Sequence, residues 1–173
     1  MMKTLNKALI LATVLLAAAC TNPDRYGAGG AGGPDGMGGM AAGPLGDPND
    51  PNSVAYFNQT LGDRVLFAVD QSTLSSEAQQ ILAGQAQWLN NHPQYSALIE
   101  GHADEQGTRE YNLALGERRA NSVREFLVSQ GVAGNRLRTI SYGKERPIEI
   151  CSVEACYAKN RRAVTVLSAG AGA

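Results

Sequence analysis

Net charge of either sign is nearly missing from this 173-residue sequence, in which 15 Lys and Arg face 16 Asp and Glu. That balance excludes a strongly basic nucleic-acid binder and a polyacidic disordered chain. Histidine is scarce. His92 and His102 are too few to build a metal shell with the three cysteines present. Neither a G-x-S-x-G elbow nor an H-E-x-x-H helix motif occurs, so two common catalytic templates fail. No metal, cofactor or catalytic residue is expected. Long hydrophobic runs are missing too. The longest, Ala8 to Ala19, holds twelve apolar or small residues. As a helix it spans about 18 Å, against a hydrocarbon core of roughly 30 Å, which is too short to cross a membrane.

That run follows Lys3 and Lys7 and fits the apolar region of a signal peptide over residues 1–19. Small residues lead directly to Cys20, so either a lipidated cysteine or a plain secretory cleavage near Ala19 fits. Glycine and proline are plentiful but unevenly spread. Ten of the 20 glycines lie between Gly27 and Gly46, and five of the seven prolines between Pro23 and Pro51. Residues 20–52 therefore read as a flexible tether that cannot bury enough apolar surface to fold. At about 5–6 Å × √n its relaxed span is on the order of 30 Å. The stretch Gly27 to Gly32 matches G-x-G-x-x-G, but without a flanking strand and helix the match is chance.

Residues 53–168 form one domain with 12 Lys and Arg balanced by 12 Asp and Glu. Strands are expected over 64–69, 96–101, 137–142 and 161–167. A helix capped by Ser76 and Gln79 should run to about Asn90, with Ile81, Leu82, Gln85, Trp88 and Leu89 facing inward. A longer helix, 108–130, carries Tyr111, Leu115, Val123, Phe126 and Leu127 at helical spacing. Gly116 inside it implies close approach of a neighbour or a ligand. Strands alternating with helices predict an α/β fold, with helices packed on a mixed four-stranded sheet. Residues 169–173 are expected to fray. The sequon Asn58-Gln59-Thr60 carries little weight, and His102 is expected to be structural.

The polar cluster of the domain is Glu100-Gly101-His102-Ala103-Asp104-Glu105-Gln106-Gly107-Thr108, continued by Tyr111-Asn112 and Leu115-Gly116-Glu117-Arg118-Arg119-Ala120. From spacing alone, Asp104 is either a ligand acid or a turn-capping residue. Arg118-Arg119 is either a binding pair or a solvated helix face paired with Glu117 or Glu125.

This run resembles the signature of the outer-membrane protein A-like C-terminal domain, with its βαβαβ core. Within that superfamily it is most similar to the peptidoglycan-associated lipoprotein branch. Phe67-x-x-Asp70, Ser141 to Pro147 and Lys159 to Val164 agree, in the correct order. The small residues before Cys20 resemble a lipobox, which implies lipidation at Cys20, and Thr21 after it implies sorting to the outer membrane. The resemblance implies non-covalent capture of peptidoglycan through meso-diaminopimelate, whose side chain ends in an ammonium and a carboxylate on one carbon. By motif position, Asp104 would face the ammonium and Arg119 would fork onto the carboxylate. Asp70, Leu115 and Thr108 match pocket positions, with Asn112 and Arg118 in supporting roles. The implied partners are peptidoglycan, the outer membrane, the periplasmic TolB protein and the Tol complex, which acts at cell division. Other anchoring lipoproteins of the superfamily, or a murein hydrolase, are the alternatives.

Two features depart from the family pattern. Gln106 stands where Arg is frequent. Cys151 and Cys156 occupy a loop without cysteines in the family, and export to an oxidising compartment favours a disulfide between them. On this reading the bridge leaves the ligand motif untouched.

Overall fold

The computed structural model describes residues 45–169. The expected leader, Cys20, the glycine-rich stretch and the last four residues lie outside the described residues.

Seven regular elements follow one another: β1 (Arg64–Leu66), α1 (Ser76–Asn91), β2 (Tyr95–His102), α2 (Arg109–Ser129), β3 (Leu137–Gly143), α3 (Glu154–Asn160) and β4 (Arg162–Ala169). A π-helical turn, Tyr56–Gly62, precedes β1, and a 3-10 turn, Gly134–Arg136, precedes β3. The four strands form one sheet in the order β1-β4-β2-β3. β2 runs parallel to β3 and antiparallel to β4, and β1 is antiparallel to β4. The mixed four-stranded sheet with packed helices is thus as the sequence pattern implies.

The core joins α1 and α2 to the sheet. Leu82, Leu89, Ile99, Val123 and Leu127 are fully or almost fully buried, with Phe57 packed edge-on against Trp88. α1 begins one residue earlier than expected: Ser75, not Ser76, accepts the Ala78 amide at 3.1 Å. Gln79 then reaches back to the Leu74 carbonyl. Ordered contacts start ahead of residue 53. Trp88 Nε1 donates to the Pro51 carbonyl at 2.8 Å, and the Ala55 amide donates to the Leu45 carbonyl.

The glycine inside α2 has a steric cause. A Cβ on Gly116 would lie 2.8 Å from the Gly101 carbonyl oxygen. α2 therefore rests on β2 backbone against backbone, which sets the depth of every α2 side chain at this end. β1 is shorter than expected. The Phe67 amide still bonds the Arg161 carbonyl at 2.9 Å, but the chain then turns away through Ala68 to Asp70. Two features go beyond the sequence reading: Tyr111, at helical spacing with the buried Leu115, is 44% exposed, and the loop before β4 contains the unforeseen helix α3.

Candidate ligand-binding site

The site lies where the turn after β1, the loop after β2 and the first turns of α2 meet. Arg119 is its centre. It projects from α2 with no exposed surface, at 5.1 Å from the centre of the Phe67 ring. Its Nε donates to the Gln71 carbonyl at 2.8 Å, Nη1 to the His102 carbonyl at 2.8 Å, and Nη2 to the Ala68 carbonyl at 3.2 Å. Ala68 and Gln71 flank Asp70, and His102 stands two residues before Asp104. One guanidinium therefore ties together the two segments that carry the site's acids.

A guanidinium has five N–H donors, and these three bonds leave two, one on each terminal nitrogen. Burial lowers the Arg119 pKa to about 10, partly offset by Asp104 and Asp70. It remains a cation at neutral pH. A buried charge of this kind is tolerable only with several polar partners, which the three carbonyls provide, the Asp104 and Asp70 charges favouring it from farther off.

Asp104 is nearly buried, at 9% exposure. Its Oδ1 accepts the Gln106 amide at 3.2 Å, and its Oδ2 accepts Arg161 Nη1 at 3.1 Å. The first bond is the local turn contact that spacing allowed, and the second is a cross-structure ion pair. Asp70 is exposed and accepts the Tyr111 hydroxyl on Oδ1. That bond raises the Tyr111 phenol above its ordinary value. Asp70 is also the one non-glycine described residue with positive φ, at 55°. Such a conformation stores on the order of 1–2 kcal/mol, held here by the Arg119 bonds on either side.

The other expected residues brace this arrangement. Thr108 caps α2, its hydroxyl accepting the Tyr111 amide at 3.2 Å. Asn112, 1% exposed, donates from Nδ2 to the Gln106 carbonyl at 2.6 Å and so shapes the loop. Leu115 is buried one helical turn before Arg119. Arg118 and Arg119 separate completely: Arg118 is exposed, 5.9 Å from the Tyr111 ring centre, while Arg119 is internal. His102, expected to be structural, is the last residue of β2. Its ring is buried, 3.6 Å from Glu100, and neither ring nitrogen is hydrogen-bonded. Burial lowers its pKa to about 4, with Arg162 and Arg146 adding to the effect.

Arg161, Glu154 and Tyr111 complete the site, and sequence reasoning did not single them out for it. Arg161 is 4% exposed, with Nε donating to the Phe67 carbonyl at 3.3 Å and Nη2 to Glu154. The Cys151–Cys156 disulfide is formed, with Cα atoms 5.9 Å apart, and it encloses Glu154. Through Glu154 and Arg161 the bridge is therefore linked to the ligand motif rather than separate from it. A cleft of about 340 Å³ opens elsewhere, beside β1 and α1, lined by Leu66, Ala78, Ile81 and Ile148. None of the expected site residues borders it. Among the described residues, no cluster of three or more His, Cys, Asp or Glu could hold a metal ion.

Comparison with known proteins agrees with this geometry. The OmpA family model matches residues 66–161, a span that contains every element from Asp70 to Arg161. The peptidoglycan-associated lipoprotein of Brucella melitensis is 60% identical over 116 residues, 67% of this chain and 68% of that one. The chain belongs to the peptidoglycan-associated lipoproteins of the OmpA family. The Haemophilus influenzae member of this lipoprotein family is 37% identical over 164 residues, covering 95% of this chain and 98% of its own. The crystal structure of the Burkholderia pseudomallei peptidoglycan-associated lipoprotein matches with a TM-score of 0.63 at 41% identity. It covers 70% of this chain and 98% of that one. Peptidoglycan-associated lipoproteins of the OmpA family are not enzymes, which removes the hydrolase alternative.

Proposed function

We propose that this chain is an outer-membrane lipoprotein whose periplasmic domain binds peptidoglycan non-covalently through meso-diaminopimelate, tethering membrane to cell wall. The observation that carries the reading is Arg119 held between the Asp70 turn and the Asp104 loop. A zwitterion needs an anion and a two-pronged cation within a few ångströms, and this arrangement supplies both. Asp104 and Asp70 receive the ammonium. The two remaining N–H groups of Arg119 take the carboxylate. Since Arg119 is fully buried, the turn around Asp70 moves aside as the ligand enters, breaking the Tyr111–Asp70 hydrogen bond. Thr108 and the first amides of α2 present further donors to carboxylate oxygens.

Cys20 is the acylation site in this reading. The Haemophilus relative covers so much of this chain that its match includes residue 20. Multiple acyl chains hold a protein at the membrane far more firmly than one chain, which binds only marginally. Participation in the Tol system, through contact with the periplasmic TolB protein, is part of this proposal, and the likeness to peptidoglycan-associated lipoproteins is what supports it. Co-purification of TolB with the native lipoprotein distinguishes that role from another anchoring role in the superfamily.

The test is titration of the chain with a muropeptide containing diaminopimelate and with its lysine counterpart. The lysine form lacks the terminal carboxylate, so its binding should be at least tenfold weaker. Asp104→Asn removes the partner of an ammonium that both muropeptides carry, so it should weaken both by a similar factor while keeping a hydrogen-bond acceptor for Arg161. Equal binding of both muropeptides by the native chain would overturn the proposal.

A further inference from the structure

Three charged side chains run in series from the candidate site to the bridged loop. Asp104 Oδ2 accepts Arg161 Nη1, and Arg161 Nη2 donates to Glu154. Arg161 is held on every side. Its amide donates to the Tyr157 carbonyl at 3.0 Å, its carbonyl accepts the Phe67 amide, and its Nε donates to the Phe67 carbonyl. Its guanidinium therefore touches the end of β1, the loop after β2 and the start of α3 at once.

Glu154 is different. Its side chain is 66% exposed, and it begins a helix of only seven residues with no side-chain N-cap. So short a helix is marginal without outside support. Support comes at both ends. Asn160 fixes the far end, donating to Glu105 and to the Glu149 carbonyl at 2.9 Å each. The Cys151–Cys156 bridge fixes the near end by joining the preceding loop to the first turn, with Glu154 between.

We propose that Arg161 and Glu154 are positioning residues for the Asp104 carboxylate, and that the Cys151–Cys156 bridge acts on the site by holding Glu154 against Arg161. The inference rests on the assignment of Asp104 to ligand binding. Its physical content is twofold. Arg161 and the Gln106 amide each hold one oxygen of Asp104, which fixes the carboxylate plane and leaves lone pairs for an incoming ammonium. Charge provides the second part. Asp104 and Arg161 alone sum to zero, and Glu154 returns the trio to a net negative charge that attracts a cation. The hydrogen bond from Arg161 holds the Glu154 carboxyl below its ordinary value, so Glu154 stays ionised at neutral pH. For Arg161, burial opposes the charge, and the hydrogen bonds to Glu154 and Asp104 outweigh it.

The experiment uses the full chain and the diaminopimelate-containing muropeptide, with the Gln106 amide resonance as a second readout that needs no ligand. Glu154→Gln should weaken muropeptide binding roughly threefold to tenfold and shift the Gln106 amide, while the unfolding midpoint barely moves. Replacing both Cys151 and Cys156 by Ser should produce a loss of similar size. Combining the two changes should add little, because they act along one path. Glu154→Asp, which keeps the charge, should recover part of the loss. Native affinity together with an unshifted Gln106 amide in Glu154→Gln would overturn the inference. Losses that multiply in the combined variant would overturn the role of the bridge. If the native chain fails to bind the muropeptide, the ligand assignment falls, and the Gln106 amide still decides whether Glu154 positions Asp104.

Discussion

Two arginines clamp the two ends of β2, and only one of them lies at the proposed binding site. Near Tyr95, Arg136 donates through Nε to the Tyr95 carbonyl at 2.8 Å and through Nη2 to the Leu89 and His92 carbonyls at 2.9 Å each. Near His102, about 25 Å along the strand at ~3.3 Å per residue, Arg119 makes the equivalent set of three carbonyl bonds. The Arg136 clamp is half-buried and closes on the end of α1, where carbonyl groups without helical partners favour a cation. Its neighbours are Trp88, His92 and Tyr95, packed ring on ring. The Arg119 clamp is fully buried, and two carboxylates on separate segments face it. Carbonyl clamping alone is therefore a device for joining segments. What sets the Arg119 end apart is Asp70, in strained backbone, and Asp104, held from both sides, the two acids of the proposed site.

Removing each clamp gives the largest contrast. Arg119→Leu should lower stability by about 3–5 kcal/mol, because it leaves three buried carbonyls unpaired and removes a cation that favours the Asp104 charge nearby. It should also abolish muropeptide binding. Urea unfolding and calorimetric titration read the two effects separately.

Acid should also weaken the Arg119 end. His102 contributes a carbonyl to that clamp, and its buried ring has its pKa lowered to about 4 from 6.5. The unfolded chain therefore binds the proton first. Stability should be full above pH 6.5, fall as pH drops through that value, and cease to fall from this cause near pH 4. The total is roughly 3 kcal/mol. His102→Phe should flatten that part of the urea-midpoint profile, and a profile identical to the native one would contradict the assignment.

Arg136→Leu comes next, with a loss of about 1–3 kcal/mol from unpaired carbonyls at a half-buried position. Muropeptide affinity should stay at the native level. A tenfold loss of affinity would erase the distinction between the clamps. The smallest effect concerns Tyr111. Its phenol should titrate above 10, and in Asp70→Asn it should return toward that value, as followed by NMR of labelled tyrosine.

Much of this was legible in residue order. Strands β2, β3 and β4 and helices α1 and α2 appear within one or two residues of their expected positions, because period and breakers are local signals. The demand for a small residue at Gly116 was also visible, and the Gly101 carbonyl explains it. The early end of β1 was not visible, because it follows from Arg119 drawing the Ala68 carbonyl out of the sheet line. Helical spacing placed Tyr111 on the correct face, but that face leaves the core and reaches the site mouth within its first turn. Arg118 and Arg119 were indistinguishable in composition, and only the close seating of α2 on β2 makes one internal. α3 lacked a capping signal, and its support from Asn160 and the disulfide is tertiary. Arg161 meets Asp104 across 57 residues of chain, beyond the reach of any local pattern, and Glu154 joins the site only through Arg161.

The central claim is that Asp104 and Arg119 together recognise one zwitterion. Its most direct test is the affinity ratio between diaminopimelate-containing and lysine-containing muropeptides, measured on the native chain and on Asp104→Asn. The account predicts a ratio of at least tenfold for the native chain, kept in the variant while its affinity for both muropeptides falls, because Arg119 still reads the carboxylate and the ammonium has lost its partner. A native ratio near one, or native affinity for both muropeptides in Asp104→Asn, would contradict it.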